Sequence, residues 1–330
     1  APNSSSAASP LGRHLKGNRI GFDLGGSDRK AAAVIDGEVV FSEEIPWDPY
    51  FESDPSYHFD GICDSLRRAA AHLPHVDAIG GSAAGVYVDN EVRAGSLFRG
   101  VNEAHFDQHV RQIFHRVMEA EGWANVPWQV VNDGEVTALA ASMSLNANAV
   151  LGISMGTSLA AGYVDRQGNI MPWLNELAFA PIDYRANAPV DEWSGDEGCG
   201  VQYFSQQGVA RLAKSAKLGL AADMPFPEQL VAVQELMASG DERASQIYQT
   251  LGTCFGYAIA HYHEFYDFDH LLILGRVTSG AGGEEILRQA KVVLEKEFPR
   301  MAEQVSMHTP NEKDKRHGQA VAAASLPPIG

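Results

Sequence analysis

The sequence of residues 20–34 is IGFDLGGSDRKAAAV, an apolar strand that runs into a carboxylate, two glycines and a hydroxyl before a second apolar strand begins. Glycine has no Cβ, so a hairpin with Gly25 and Gly26 at its tip lets backbone N–H groups approach a phosphate closely. A P-loop instead needs a Gly-Lys-Ser/Thr sequence that leads into a helix, whereas Lys30 lies in the second strand. The stretch therefore predicts a phosphate-binding hairpin, although an isolated turn of this kind is usually only a tight turn.

The same pattern occurs twice more in the chain. An apolar strand at residues 149–153 runs into SMGTS, residues 154–158, before the next strand begins. A third strand, residues 271–274, is followed by GRVTSGAGG at residues 275–283 and then by a helical pattern. Glycine-rich turns that repeatedly follow a strand favour a protein that binds phosphate groups through its backbone.

One strand between the first two turns ends in a carboxylate. Residues 128–133 read WQVVND, and a helical pattern begins near Glu135. Asn and Asp are common at helix N-caps, so spacing alone favours a capping role for Asp133. The alternative is a catalytic general base, and the phosphate-binding turns around it favour that role.

Length and pattern fit a two-lobed α/β protein. The chain has 330 residues, which is long for one hydrophobic core and suits two lobes. Strands and helices alternate along it, which is typical of the α/β class. Helical patterns are predicted over residues 57–73, 106–121, 202–218, 226–238, 242–265 and 284–298.

The charge balance argues against two kinds of partner. The chain has 25 Lys and Arg residues against 42 Asp and Glu residues, a formal net charge of −17. Such a surface repels nucleic acid and anionic membranes, although a charge that only maintains solubility is an equal explanation. No apolar segment is long enough to span a membrane. We therefore expect neither nucleic acid nor a membrane as a partner.

The cysteines and the N-terminal residues predict a cytoplasmic protein without a DNA-binding domain. Cys63, Cys199 and Cys254 are an odd number without clustered spacing, and reduced thiols account for them most simply. The first ten residues are small and polar, and we expect residues 1–18 to be disordered. This segment is too short for a helix-turn-helix domain.

The motifs, in this order, resemble the ROK family of sugar kinases and sugar-responsive repressors, within the superfamily of actin, hexokinase and the heat-shock chaperone ATPases. The first hairpin resembles the phosphate-1 motif, residues 152–158 the phosphate-2 motif, and residues 275–283 the adenosine motif. The resemblance implies an RNase H-like, actin-like ATPase fold of two lobes with an interlobe cleft. The small lobe would comprise residues 19–130 and the large lobe residues 131–317, with a C-terminal helix at 318–330 that returns to the small lobe.

The resemblance also assigns roles to individual residues. It implies ATP as the donor, Mg²⁺ held near Asp23, and Asp133 as the base that accepts the proton of a sugar hydroxyl. The implied phosphate- and nucleotide-binding residues are Asp23, Gly25, Gly26, Ser27, Gly156, Thr157, Ser158, Gly275, Ser279, Gly280 and Gly282. The implied substrate-binding residues are Asn132, Asp133, Glu176 and Asn102, although Ser96 fits the family's register more closely than Asn102 does.

The chain departs from the family at two places. Phe179 stands where the family has a histidine, and Val201 stands where it has a sugar-binding glutamate. The family's zinc segment aligns with residues 192–201, in which Cys199 is the one cysteine retained. One thiolate cannot form a tetrahedral zinc site, so we expect no zinc. Trp173 could stack on a sugar, although packing is its simpler role.

These features indicate a cytoplasmic, ATP-dependent carbohydrate kinase that phosphorylates a sugar or a sugar-like polyol, and a homodimer is compatible with them. A non-catalytic sugar or nucleotide sensor on the same scaffold is an alternative that the changes at Phe179 and Val201 favour. A polyphosphate donor is a further alternative, because some polyphosphate glucokinases have a Gly-Gly-Ser turn like this one.

Overall fold

The computed structural model describes residues 11–170, 174–221, 223–309 and 312–329. Its strands are β1 (Asn18–Leu24), β2 (Asp28–Ile35), β3 (Glu38–Pro46), β4 (Ala78–Ala83), β5 (Val86–Val88), β6 (Glu91–Ala94), β7 (Trp128–Asn132), β8 (Val150–Met155), β9 (Leu159–Val164), β10 (His270–Leu274) and β11 (Ser306–His308). Its helices are α1 (Pro55–Ala70), α2 (Glu103–His105), α3 (Ile113–Ala120), α4 (Asp133–Leu145), α5 (Gln206–Ser215), α6 (Phe226–Ala238), α7 (Glu242–His263), α8 (Gly280–Glu297), α9 (Pro299–Gln304) and α10 (Glu312–Ala324).

The chain divides into two compact units. The described residues of the first unit are 11–146, 168–170, 174 and 312–329. Those of the second unit are 147–167, 175–221 and 223–309. Each unit has its own sheet.

The first unit contains a five-stranded sheet in the order β3-β2-β1-β4-β7. Strands β1, β2 and β3 are antiparallel neighbours, whereas β1, β4 and β7 run parallel. The last residue of β1, Leu24, pairs with Ala83 in β4, which in turn pairs with Asn132 in β7. The residues that follow β1 and β7 therefore leave the sheet at the same edge, where ligands usually bind to open parallel sheets.

Helix α10 packs directly on the backbone of this sheet. A Cβ atom at Gly21 in β1 or at Gly80 in β4 would overlap carbonyl oxygens of the helix, so only glycine permits this approach. Arg19 is 1% exposed and donates from its guanidinium to the carbonyl oxygens of Ala324 and Pro327 at 3.1 and 2.8 Å. These bonds satisfy carbonyl groups at the end of α10 and fix the helix to the sheet.

The residues before β1 are ordered along the segment that follows α10. The N–H groups of Gly12 and His14 each donate to a carbonyl oxygen of that segment at 3.1 Å. The expectation that residues 1–18 are disordered is therefore wrong for residues 11–17, because their backbone is paired. Residues 1–10 lie outside the described residues.

Helices cover both faces of the first sheet. Alternate residues of β1 point to opposite faces, so Ile20 and Phe22 pack in the core with α1 and α3 while the opposite face carries α10. Helix α4 packs against α10. For this reason the first unit extends to residue 146, rather than ending at residue 130 as the sequence led us to expect.

The second unit contains a four-stranded sheet in the order β11-β10-β8-β9. Strands β8, β10 and β11 are parallel, and β9 returns antiparallel beside β8. Leu274 at the end of β10 pairs with Ser154 near the end of β8, so the residues after both strands leave the sheet at one edge. Helices α7 and α8 pack against each other in this unit.

The predicted α/β class is confirmed by these two sheets and their helices. Among the described residues, no helix combines the length and the apolar character that a membrane crossing requires.

Candidate functional site

The turn after β1 is held by its own backbone and by Trp47. The N–H of Gly25 donates to the carbonyl oxygen of Asp28 at 2.9 Å, which closes the hairpin. The indole Nε1–H of Trp47 donates to the carbonyl oxygen of Gly25 at 2.7 Å. The backbone N–H of Trp47 donates to the carbonyl oxygen of Ser27 at 3.1 Å. Ser27 is exposed, and its hydroxyl donates to the carboxylate of Asp28 at 2.8 Å.

Trp47 sets the direction of a peptide group in this turn. In a trans peptide the C=O and N–H bonds point in opposite directions, and no described peptide bond is cis. Because the carbonyl of Gly25 points towards Trp47, the N–H of Gly26 points away from it. A phosphate requires such N–H donors and is repelled by carbonyl oxygens. Sequence reasoning missed Trp47 because it lies 22 residues from Gly25 and no local pattern marks it.

Asp23 lies near the end of β1 with its side chain 8% exposed. One carboxylate oxygen accepts the hydroxyl of Ser82 at 2.5 Å, and the other lies 3.8 Å from the Nζ of Lys30. Burial raises the pKa of Asp23, and the charge of Lys30 opposes that change. Mg²⁺ in kinase sites is bound by one or two carboxylates together with substrate phosphates. Asp23 fits that role as a single protein ligand, and the described residues contain no cluster of three or more His, Cys, Asp or Glu that could hold a metal alone.

Strand β7 brings Asn132 and Asp133 to the start of α4. Asn132 is the N-cap: its side chain accepts the N–H of Gly134 at 2.8 Å and donates to the carbonyl oxygen of Gly85 at 2.7 Å. Asp133 is the first residue of the helix, and its carboxylate also receives the Gly134 N–H at 3.1 Å. The cap that the sequence allowed for Asp133 is thus formed by Asn132. A carboxylate in the first turn is stabilised in its charged form by the helix dipole.

Two tyrosines lie near Asp133. Burial and the negative charge of Asp133 raise the pKa of Tyr87, and the same two causes, opposed by Arg99, raise the pKa of Tyr50. Tyr50 also contacts the turn after β1, because a Cβ at Gly26 would overlap its hydroxyl. The guanidinium of Arg99 lies 4.1 Å from the centre of the Tyr50 ring. Tyr50 therefore connects the turn with the surroundings of Asp133.

The structure gives Asn102 a local role. Asn102 is exposed, and its side chain caps α2 by accepting the N–H of His105 at 3.0 Å. Ser96, the residue in the closer family register, lowers the pKa of Tyr50, whose pKa the negative charge of Asp133 raises. Ser96 therefore lies near Tyr50, the residue that we associate with Asp133.

The turn after β8 is open to ligands. The N–H of Gly156 donates to the carbonyl oxygen of Ser158 at 2.9 Å, and the N–H of Gln206 donates to the carbonyl oxygen of Gly156 at 2.9 Å. Thr157 and Ser158 are exposed. A Cβ at Gly156 would have its nearest neighbour at 3.9 Å, so this position faces open space that a side chain would fill. A ligand can therefore approach this backbone closely.

The glycine-rich segment after β10 packs against the turn after β8. Gly275 has a φ of +107°, and a Cβ there would overlap the backbone of Met155, the residue before Gly156. Gly282 in α8 is buried against the ring of Tyr248, which a Cβ would overlap. The lack of a side chain at Gly282 is therefore explained by helix packing and not by contact with a ligand.

A cavity of about 350 Å³ opens beside the start of α8. Ser279 and Gly280 are exposed there, and Gly280 has a φ of +64°. The lining combines aliphatic groups of α6 with polar groups from the glycine-rich segment: Pro227, Glu228, Leu230, Val231, Gln234, Arg276 and Ser279. Such a lining suits a flat, partly apolar ligand with polar edges.

Glu176 lies half-buried in the second unit. Burial raises the pKa of its carboxyl group. Its carbonyl oxygen accepts the N–H of Phe179 at 3.1 Å, and the N–H of Val201 donates to the carbonyl oxygen of Ala178 at 2.9 Å. Val201 and Gln206 belong to the same short segment, and Gln206 bonds to the turn after β8. This segment therefore contacts both that turn and the backbone next to Glu176.

The segment that aligns with the family's zinc motif is held by Asp191. The buried carboxylate of Asp191 accepts the N–H groups of Trp193 and Ser194 at 3.2 and 2.9 Å and the Nε2 of Gln202 at 3.1 Å. Cys199 is buried, and its Sγ has a carbonyl oxygen at 3.9 Å as a partner. These residues do not fit a tetrahedral zinc site, because a single thiol is available. Sequence reasoning missed Asp191, since an aspartate before the motif carries no metal signature.

No protein-family model matches the sequence, and no curated protein matches it. Solved structures do match. A ROK hexokinase from Thermus thermophilus aligns with a TM-score of 0.70 and 17% identity, over 94% of this chain and 97% of that one. A ROK family glucokinase from Streptomyces griseus, solved in complex with glucose and AMPPNP, aligns with a TM-score of 0.68 and 20% identity, over 94% and 99%. The chain has the ROK fold.

The ROK fold also occurs in a protein described as a regulator. A ROK family transcriptional regulator, a homologue of the E. coli MLC protein, aligns with a TM-score of 0.68 and 18% identity, over 95% of this chain and 79% of that one. The resemblance inferred from the motifs is thus confirmed at the level of the fold. Identities this low do not transfer an activity, so the chain's own residues have to distinguish an enzyme from a regulator.

Proposed function

We propose that this protein is a sugar kinase, which transfers the γ-phosphate of ATP to a hydroxyl group of a sugar or a sugar-like polyol. One observation carries the proposal: the side-by-side register of Leu24, Ala83 and Asn132 in three parallel strands. The phosphate-binding turn after Leu24 and the carboxylate of Asp133 thus leave one sheet edge two strands apart. Neighbouring strands are about 4.8 Å apart, so the two features are separated by roughly 10 Å. That span accommodates a phosphoryl group and an attacking hydroxyl.

In this proposal Asp133 is the general base. It accepts the proton of the acceptor hydroxyl as the oxygen attacks the γ-phosphorus. Phosphoryl transfer depends mainly on positioning and on charge neutralisation, and the general base adds a contribution of about 10²- to 10⁴-fold. The N-cap at Asn132 fixes the start of α4 and thereby the direction of the carboxylate that follows it.

Each unit has a backbone turn that we assign to the phosphates of the donor. The N–H groups of residues 26–27 and 157–158, the part of each turn beyond the N–H that closes it, would donate to phosphate oxygens, and the open space at Gly156 leaves room for them. Asp23 would hold Mg²⁺, which when bound neutralises phosphate charge. The cavity beside Ser279 would take the adenine, because its aliphatic lining suits a flat ring.

In the first unit we assign Asn132 to the acceptor. In the second unit we assign Glu176 to it, because a carboxylate accepts hydrogen bonds from sugar hydroxyl groups. An ADP-release assay across hexoses, amino sugars, polyols and inositols tests the proposal, and formation of sugar phosphate without ATP tests polyphosphate as an alternative donor. Turnover with at least one acceptor, lost in Asp133→Asn, is the expected result. Absence of ADP release with every acceptor, together with saccharide binding by calorimetry, would contradict it.

The second candidate function is a non-catalytic sensor of sugars. Phe179 and Val201 replace two residues that the family uses around its sugar, and a ROK regulator shares the fold. A sensor would bind a saccharide with the same affinity in wild type and in Asp133→Asn and would release no ADP with either. Turnover of any saccharide excludes it.

A further inference from the structure

Two aromatic side chains of the second unit form an exposed pair. The ring centroids of Trp193 and Phe179 lie 5.5 Å apart, with the ring planes inclined by 44°. Trp193 is 63% exposed, and Phe179 is half-buried. Trp is enriched at binding surfaces because it presents a large apolar face together with an N–H donor.

The loop that carries Trp193 is held in one conformation. The carboxylate of Asp191, which is 4% exposed, accepts the N–H groups of Trp193 and Ser194. The N–H of Gly195 donates to the carbonyl oxygen of Asp191 at 2.9 Å, and the side chain of Gln202 fixes the second carboxylate oxygen. The backbone under the indole is therefore ordered before any ligand binds, which reduces the entropy lost on binding.

The aromatic pair adjoins the residue to which we assign the acceptor. The N–H of Phe179 donates to the carbonyl oxygen of Glu176 at 3.1 Å, so both residues belong to one turn. Exposure increases from the half-buried Glu176 and Phe179 to the exposed Trp193. A ligand that Glu176 binds by its hydroxyl groups can therefore extend over Phe179 towards Trp193.

We infer that Phe179 and Trp193 form a subsite for the second ring of a disaccharide acceptor. This inference rests on the proposed sugar kinase function. The C–H face of a pyranose ring is apolar and stacks on an aromatic face, while the hydroxyl groups at its rim remain in water. The reacting ring has to be shielded from water, which suits the half-buried Glu176, whereas a second ring can stay partly solvated, which suits Trp193.

Calorimetric titration of the whole protein with matched saccharides tests the subsite. The probes are glucose with maltose and cellobiose, and N-acetylglucosamine with chitobiose. We expect wild type to bind at least one disaccharide about tenfold more tightly than its monosaccharide, because one stacked ring contributes on this scale. Trp193→Ala should abolish that difference and leave the Kd of the monosaccharide within about twofold.

Two further variants separate stacking from folding. Trp193→Phe retains a ring and should retain part of the preference for the disaccharide. Phe265→Ala removes another exposed ring of the same unit, 70% exposed, and should change neither Kd.

Three outcomes would overturn the subsite. The first is that wild type binds disaccharides and monosaccharides with equal affinity. The second is that Trp193→Ala loses affinity for both to the same extent. The third is that Trp193→Ala changes its sedimentation but not its saccharide affinity, which would assign the indole to a contact between copies of the chain. Each leaves the proposed kinase standing if ADP release persists. Failure of wild type to bind any saccharide would overturn the subsite and the proposed function together.

Discussion

The indole N–H of Trp47 donates to the carbonyl oxygen of Gly25 at 2.7 Å, and this bond joins the end of β3 to the turn after β1. The backbone N–H of Trp47 holds the carbonyl oxygen of Ser27 in the same turn. One residue outside the glycine-rich motif thus orients the peptide groups to which we assign a phosphate.

Trp47→Phe should therefore weaken nucleotide binding. The variant keeps an aromatic ring but loses the indole donor, and one hydrogen bond of this kind corresponds to a change of about threefold to tenfold in the KM for ATP. The KM for the acceptor should change less. Steady-state kinetics measure both, with Trp123→Phe in the same unit as the control. An unchanged KM for ATP would show that Trp47 is only a packing residue.

Asp133→Asn should abolish turnover and preserve the fold. Loss of the general base should lower kcat by about 10²- to 10⁴-fold, while the N-cap at Asn132 stays in place. The KM values should change little. Asp107→Asn, which neutralises an exposed carboxylate of the same unit, is the control. If folded Asp133→Asn kept a near-normal kcat, the assignment of the base would be wrong.

Gly156→Val should separate stability from nucleotide binding. The added Cβ enters open space, so the Tm should remain close to that of wild type. The same atoms occupy the approach of a phosphate, so the KM for ATP should rise by at least an order of magnitude and the acceptor KM much less. Ser27→Val tests the turn of the first unit in the same way. Normal binding of AMPPNP to Gly156→Val by calorimetry would remove this turn from the site.

The raised pKa of Glu176 predicts a pH dependence of acceptor binding. Burial favours the protonated carboxyl group, so protonation begins above the ordinary glutamate value of about 4.3. The acceptor KM should rise as the pH falls through this raised pKa, because a neutral carboxyl is a weaker acceptor of hydrogen bonds. A profile of KM against pH measures the effect, and Glu176→Gln should flatten it.

The raised pKa of Glu176 also affects stability, and here a lower pH is favourable, whereas it weakens acceptor binding. The folded state binds this proton more tightly than the unfolded state, so the contribution of Glu176 favours folding below the ordinary pKa and is lost as the pH rises through the raised one. The difference in urea resistance between wild type and Glu176→Gln should therefore shift in favour of the variant as the pH rises through the raised pKa. A difference that does not change with pH would contradict this prediction.

The protein should contain no stoichiometric zinc. Asp191 holds the loop in which the family places the metal, and Cys199 offers one thiol. Chelation of zinc should therefore leave the Tm unchanged, and activity should need Mg²⁺. Elemental analysis that finds about one zinc per chain, lost together with stability on chelation, would contradict this.

Local structure could be predicted from the sequence where the apolar spacing is regular. The helix predicted over residues 226–238 coincides with α6, because its apolar spacing is regular. The helix predicted over residues 106–121 is interrupted instead: Phe106–Val110 is a π-helical segment and α3 begins at Ile113. The spacing of apolar residues does not reveal such a change in hydrogen bonding, because the buried side chains stay on nearly the same face of the helix.

Contacts between distant residues were not predictable. The turn after β1, to which we assign a phosphate, follows from adjacent glycines, whereas its support by Trp47 depends on the pairing of β2 with β3. Glu176 was found through a motif, whereas Trp193, which contacts Phe179, is held in place by the hydrogen bonds of Asp191. Trp173, for which the sequence favoured packing over stacking on a sugar, lies outside the described residues. A single sequence records the residues of a turn but not the side chains that later parts of the chain add to it.

The packing of α10 on Gly21 and Gly80 fixes an order of events during protein synthesis. Strand β1 leaves the ribosome early, yet the helix that covers one face of its sheet is made about 290 residues later. The first sheet therefore spends most of translation with that face uncovered, while the second unit, which only the short segment 168–174 of the first unit interrupts, can fold as it emerges. Release of residues 312–329 completes the first unit, so chaperone demand should concentrate on β1, β2 and β4 until then.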